Sequence, residues 1–223
     1  MRAENRRGAG RHACPVVLLH ALVLALPLSG CSKQAPSGFA WDFARLGPAG
    51  EVLDADAPGP HECVLDRRTG LLWEVKLATP GARHSDQTFS WYSDNGESNG
   101  GEAGLRGAGD CVLGHCDTES YVAAVNAAGL CGRTDWRLPS RDEALTLLDP
   151  ARIGQGATLD PAYFPETAAA EYWTATTFSL YPQGAWAVDT VYGQDRVDWK
   201  TGAKRLLLVS GSKTAVRPRR RGR

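Results

Sequence analysis

The 223-residue chain balances 25 basic against 25 acidic side chains, but the balance is uneven along its length. Setting aside the four Arg of the first thirty residues and the six basic residues of the last twelve leaves 15 basic against 24 acidic residues in 32–211. An acidic folded part is a poor match for nucleic-acid phosphates, which excludes that class of partner.

Arg2, Arg6, Arg7 and Arg11 precede an apolar run from Pro15 to Leu28, which leads into Ser29-Gly30-Cys31. That order is the order of a secretory signal. The run of fourteen residues falls short of the roughly twenty that a membrane-spanning helix needs. The Leu-Ser-Gly-Cys boundary resembles a bacterial lipoprotein signal. The resemblance implies removal of 1–30, lipidation of Cys31 and, with Ser32 next, an outer rather than inner membrane address. Ordinary secretory cleavage near Gly30 is the alternative. Acyl chains would tether the protein by burying methylenes at about 0.8 kcal/mol each. The remaining 193 residues suffice for one domain and a tether.

Residues 31–60, rich in Pro, Gly and Ala, are expected to be a tether, ordered only where Trp41, Phe43, Val52 and Leu53 dock. The domain is expected over 61–211. It opens with Cys63-Val64-Leu65 and Leu71-Leu72-Trp73 flanking a polar turn that ends in Gly70, a hairpin pattern. Residues 78–116 are expected to form a long loop. Asp117 can cap a helix that buries Tyr121, Val122, Val125 and Ala128 and ends at Gly129. Pro139 holds Leu138 out of the helical region, and Ser140 with Glu143 makes the capping box of a second helix. That helix is expected to bury Ala144, Leu145 and Leu148 and to stop at Pro150. Strands are predicted at 171–178, 185–192 and 204–209, with a short one at 196–200. Leu206-Leu207-Leu208-Val209 lacks alternation, as in a strand covered on both faces. The pattern predicts an α+β fold with two helices and a mainly antiparallel sheet, followed by a basic, disordered tail at 212–223.

Cys14 leaves with the leader, so Cys63, Cys111, Cys116 and Cys131 remain beside Cys31. Four thiols in an exported chain suggest two disulfides among three possible pairings. A short local bridge between Cys111 and Cys116 would leave Cys63 to pair with Cys131. The spacings contain no C-x2-C pair, which argues against zinc.

Several motifs coincide in order: Thr69-Gly70-Leu71-Leu72-Trp73-Glu74, Cys116-Asp117-Thr118, Val125-Asn126-Ala127-Ala128-Gly129-Leu130-Cys131-Gly132, Asp135-Trp136-Arg137-Leu138-Pro139 and Tyr172-Trp173-Thr174-Ala175-Thr176. Together, from about Cys63 to Gly211, they resemble the Lcl C-terminal domain family. The resemblance implies a C-type-lectin-like fold in an exported bacterial protein. The family's named member is a collagen-like adhesin whose C-terminal domain is implicated in binding sulfated glycans and host surfaces. This chain departs from it in having no collagen G-X-Y tract. It also closes on Arg205-Leu206-Leu207-Leu208-Val209-Ser210-Gly211 where the family commonly has a Val-Arg-Leu-Val-Arg-Gly-like strand.

Chemistry is sparser. The oxygen-rich loop Asp94–Glu102 offers hard-cation ligands, yet it lacks EF-hand order and the chain has no Glu-Pro-Asn or Gln-Pro-Asp triplet, so a solvated loop is expected. The formylglycine-generating oxidase of the same fold class needs a late Cys pair, and no Cys follows Cys131. His61, His84 and His115 lie outside recognised metal or nucleophile motifs, and a bridged Cys116 would be no nucleophile. Asp142 and Glu143 suit a first helical turn without a catalytic role. No enzyme activity, metal or cofactor is expected.

Aromatic side chains are the better lead. Of seven Trp, Trp73, Trp136, Trp173 and Trp186 fall where packing explains them, whereas Trp91, Tyr92, Tyr181 and Tyr192 lie in or beside loops and could present flat faces. Trp136, Arg137, Pro139, Ser140 and Glu143 are expected to be scaffold, with Arg137 paired to a carboxylate or to loop carbonyls. In the tail, Arg217, Arg219, Arg220 and Arg221 would attract sulfated polysaccharide or the phosphates of lipopolysaccharide. The expected function is a lipid-anchored, non-enzymatic envelope protein that binds a glycan or an envelope protein; the alternative is a structural assembly component without a soluble ligand.

Overall fold

The computed structural model describes residues 41–54 and 57–212. Its first strand, β1 (Phe43–Leu46), lies inside the segment expected as a tether and pairs antiparallel with β2 (Cys63–Asp66). Phe43 packs edge-on against Tyr163 and Phe164 at 5.2 and 5.8 Å, and Leu46 is buried. Docking of these two side chains recruits the backbone between them into the sheet. Val52, expected to dock beside them, is exposed.

β2 and β3 (Leu71–Glu74) make the expected hairpin. Its turn closes on Asp66, whose carbonyl accepts from the Gly70 amide at 2.7 Å and whose carboxylate accepts from the Arg68 amide at 2.9 Å. Gly70 sits at φ 74°, which glycine adopts without steric cost.

The stretch expected as a long loop is pinned throughout. β4 (Phe89–Ser90) pairs with β9 (Ala203–Lys204), Asn95 caps the single turn α1 (Gly96–Asn99), and Cys111 is bonded to Cys116. At Gly104 a Cβ would stand 2.1 Å from the Trp91 carbonyl oxygen, so only glycine allows the chain to lie against Trp91 there.

Helix α2 (Thr118–Ala128) has its predicted ends. The Asp117 carboxylate accepts from the Ser120 amide at 2.8 Å, and Gly129 turns left-handed. Tyr121 and Val125 are buried and Val122 half-buried, but Ala128 is exposed, because the packed face ends one turn before the helix does. The second predicted helix, α3 (Arg141–Leu145), begins on its capping box yet lasts only five residues. It is not stopped by Pro150, which instead opens a 3₁₀ turn over Pro150–Arg152. Proline at the first helical position loses no hydrogen bond.

β6 (Glu171–Thr177), β7 (Gly184–Asp189) and β8 (Gln194–Trp199) form an antiparallel meander. The predicted strand over 204–209 is divided. Its start belongs to β9 and its end to β10 (Val209–Ser210), which lies between β3 and β5 (Trp136–Arg137) in a five-stranded sheet of order β1-β2-β3-β10-β5. Between them the chain changes partners: Arg205 exchanges backbone bonds with Glu171 and Trp173, and the Leu208 carbonyl then accepts from Glu74 at 3.0 Å. Side chains along this crossing alternate between two cores. Leu206 and Leu208 join Trp91, Tyr121, Trp136 and Trp173, whereas Leu207 and Val209 join Trp73, Leu148, Phe164 and Val188. That is why the run needs no polar face. The result is an α+β fold in which every strand pair is antiparallel. The second disulfide, Cys63–Cys131, ties β2 to the turn after α2.

Candidate functional site

The Asp135–Glu143 stretch is a brace. Arg137 donates through both terminal nitrogens to the Glu143 carboxylate, each at 2.8 Å, and also to the carbonyls of Leu138 and Gly211. Glu143 additionally accepts from the Ser140 amide, completing the capping box. Burial pushes the Glu143 carboxyl up, but the guanidinium and the amide outweigh it and hold the group below its ordinary range. Trp136 is buried and donates its indole N–H to the Leu130 carbonyl, while Leu138 is only half-buried. Pro139 is buried beside Trp73 and Trp173 along a narrow apolar cavity.

One cluster of ionisable groups and one lysine apart from it are buried inside the domain. Glu74 accepts from Lys76 at 3.1 Å, from the Leu208 amide and, closely, from the Tyr121 hydroxyl. Burial pushes Lys76 down and Tyr121 up. Lys200 is also buried, and it has backbone partners: its ammonium donates to the carbonyls of Asn99 and Glu102 at 2.8 and 2.6 Å and lies 4.0 Å from the Trp91 ring centroid. Burial lowers Lys200 to about 8. A cation–π contact this desolvated is worth about 2 kcal/mol.

Trp91 therefore has a different place from the one expected. It is 2 % exposed, with Lys200 over its ring and its indole N–H bonded to the Thr174 carbonyl, and presents no face to a ligand. Tyr92 is half-buried, with Arg106 stacked on it at 4.5 Å. It lines an open groove with Asn95, Ser98, Glu119, Val122 and Leu138. Glu119 in this groove is pushed up by burial and by the neighbouring Asp94 carboxyl, and Arg106 opposes that shift. Among the described residues no three His, Cys, Asp or Glu side chains converge as a metal site.

Tyr181 and Tyr192 are exposed, but at opposite ends of the meander, in the β6–β7 and β7–β8 turns. The Tyr181 end is the richer one. The register places Gly184 opposite Trp199 and Trp186 opposite Val197, so Trp186, Val197 and Trp199 share one face. Val188, on the same face, is covered by the core around α3, and Arg141 at the start of α3 stacks on Trp186 at 4.2 Å. Beyond Arg141 the face emerges into solvent. Phe178 packs edge-on against Trp186 at 5.6 Å and lies 6.0 Å from Tyr181, whose carbonyl accepts from the Gly184 amide. Tyr181 and Trp199 are 63 % and 62 % exposed, and Leu180 adjoins them. The outcome is an aromatic platform at this end of the meander, with Phe178 packed between Trp186 and Tyr181 and Trp199 exposed on the face of Trp186.

Trp199 was not among the expected binding residues, and Trp186, expected in the packed interior, is only half-buried. The alternation through Asp195, Val197 and Trp199 was the available signal. Cys31 and the tail arginines Arg217, Arg219, Arg220 and Arg221 lie outside the described residues.

Residues 62–210 match the model of the Lcl C-terminal domain family. The family is found in exported, surface-associated proteins. Among the described residues no helix is long and apolar enough to cross a membrane. No curated protein and no solved structure matches the chain.

Proposed function

The chain belongs to the Lcl C-terminal domain family, and from that membership we propose that it is a lipid-anchored envelope protein whose domain binds a glycan without catalysing a reaction. The observation that carries the proposal is the exposure of Tyr181 and Trp199, two large rings left mostly in solvent at one end of a β-meander. Exposed aromatic rings on a preformed support lose little entropy when a ligand stacks on them. The reactive-looking groups argue in the same direction: Glu74, Lys76 and Tyr121 satisfy one another inside the core, where they stabilise the fold.

In this proposal Cys31 carries the lipid in the outer membrane, the domain is C-type-lectin-like, and the tail arginines draw sulfated polymers or lipopolysaccharide by salt-sensitive attraction. Binding of residues 32–223 and 32–211 to a glycan array, each with and without Trp199→Ala, tests it. Binding that persists without the tail and falls with the substitution is expected. Binding that disappears with the tail alone would leave the aromatic platform without a role. Leu180, 74 % exposed beside Tyr181, favours a second possibility, in which the same face docks an envelope protein during assembly. Labelling with a fatty-acid analogue, lost in Cys31→Ala, checks the anchor.

A further inference from the structure

We infer that the Tyr181–Trp199 platform takes an uncharged sugar ring, and that sulfated or phosphorylated polymers are not its ligands. The inference rests on the glycan-binding proposal above and concerns only the chemical class of glycan at this one surface.

An anionic sugar loses hydration when it settles on an aromatic surface, and that cost is recovered only by a cation free to meet it. Each cation in α3, in the meander and in the segment that follows it is already committed. Arg141 is stacked on Trp186 and paired with Asp195, with Asp142 3.7 Å away. Arg196 pairs with Glu171 at 2.5 Å. Lys204 is held between Glu171 and Asp198, the latter at 2.6 Å. Lys200, next to Trp199, points inward and spends its donors on the carbonyls of Asn99 and Glu102. Arg205 pairs with Asp86 at 3.1 Å. The register sets Arg196 and Asp198 on the opposite face of the meander from Trp199, so of these cations a sulfate on the platform would meet Arg141, and would have to displace Asp195 from it.

An uncharged pyranose faces no such conflict. Its C–H face can lie on the exposed ring of Trp199 or of Tyr181, whose backbones both meet Gly184. The Gly184 amide bonds to the Tyr181 carbonyl at 2.8 Å, and the strand register sets its α-carbon directly opposite that of Trp199. A Cβ on Gly184 would come 2.9 Å from Val197, so a larger residue there would disturb the turn that holds the two rings. At the edge of the same face the Arg141–Asp195 pair offers a donor and an acceptor side by side, with no net charge. Hydroxyl groups both donate and accept and therefore suit such a border.

The test uses the purified full chain with chitotriose, cellotriose, maltotriose and mannotriose as uncharged probes and heparin as the sulfated one. Calorimetry and tryptophan fluorescence are followed at low and at high salt. At least one uncharged trisaccharide is expected to bind with nearly the same affinity at both salts and to lose on the order of tenfold in Trp199→Ala and in Tyr181→Ala. Heparin binding should be salt-labile and indifferent to both substitutions. Both side chains are exposed, so unchanged melting confirms that the variants fold. Heparin binding that needs Trp199, with none of the trisaccharides bound, would overturn the inference and leave the glycan-binding proposal standing. Carbohydrate binding that is nowhere dependent on Trp199 or Tyr181 would overturn both.

Discussion

Arg137 and Glu143 are joined by two parallel hydrogen bonds of 2.8 Å, and Glu143 is 2 % exposed. One carboxylate thus anchors the guanidinium, caps α3 through the Ser140 amide and, by way of Arg137, holds the Gly211 carbonyl at the end of β10. Removing it strands a largely buried cation. Glu143→Ala is expected to cost roughly 3 kcal/mol, near the lower limit for breaking a buried pair because Arg137 retains two carbonyl partners. Urea denaturation measures it, and a loss below about 1 kcal/mol would show that the pair behaves as a surface one.

Asp135 predicts behaviour in acid. Hydrogen bonds from Arg133 and Ser210, helped by the Arg133 charge and the Gly211 amide, outweigh the opposing effect of burial and lower its carboxyl from 3.8 to about 2. The folded state therefore binds the proton less readily than the unfolded chain. The stability this supplies is complete above about pH 4 and is lost as pH falls through 2. Thermal melts between pH 5 and 2 should converge for the wild type and Asp135→Asn at the acid end. Curves that stay parallel would show that Asp135 is not responsible.

Lys200 predicts a slope of the same sign in base. Burial brings its folded value to about 8, against about 10.4 in an unfolded chain. The native state gives up this proton first, so between these values the unfolded state holds more protons and stability rises with pH. Below pH 8 the buried charge is a standing cost, offset by the carbonyls of Asn99 and Glu102 and by the Trp91 ring. Lys200→Met should remove the rise from this window. An unchanged slope in the variant would assign the effect to another group.

The two disulfides should differ in weight. Cys63–Cys131 spans 68 residues and Cys111–Cys116 only 5. Loop-closure entropy assigns about 4 kcal/mol to the first and about 2 kcal/mol to the second. Replacing Cys63 and Cys131 together by Ser should lower the melting temperature more than replacing Cys111 and Cys116. The reverse order would mean that the short bridge holds the 88–117 segment in place by more than chain entropy.

What the sequence displayed clearly was local. Ser140 and Glu143, or Asp117 and Gly129, make their bonds within one or two turns, so their spacing alone carries the information. What it concealed depends on distant partners. Trp91 looks like a loop aromatic until Thr174 and Lys200, more than eighty residues away, close over it. The run Lys204–Val209 looks like one strand because two cores each take alternate side chains from it, and hydropathy cannot record a change of backbone partner. Phe43 and Leu46 look like scattered residues in a linker because the surface that buries them is built from residues far along the chain. The platform was half visible: Tyr181 was legible in its Pro-Gly turn, whereas Trp199 was masked by the charged residues around it.

The last strand of the domain is the one that sits in the middle of the large sheet. β10 fills the gap between β3 and β5, so neither of those edges is satisfied until Ser210 is in place. A chain present only as far as its early strands can form the β2–β3 hairpin while the seam remains open. Closure of the sheet waits for Val209 and Ser210. The order of the strands thus makes the large sheet whole only when the last strand of the domain is present, so truncation before Val209 would leave two inner edges bare.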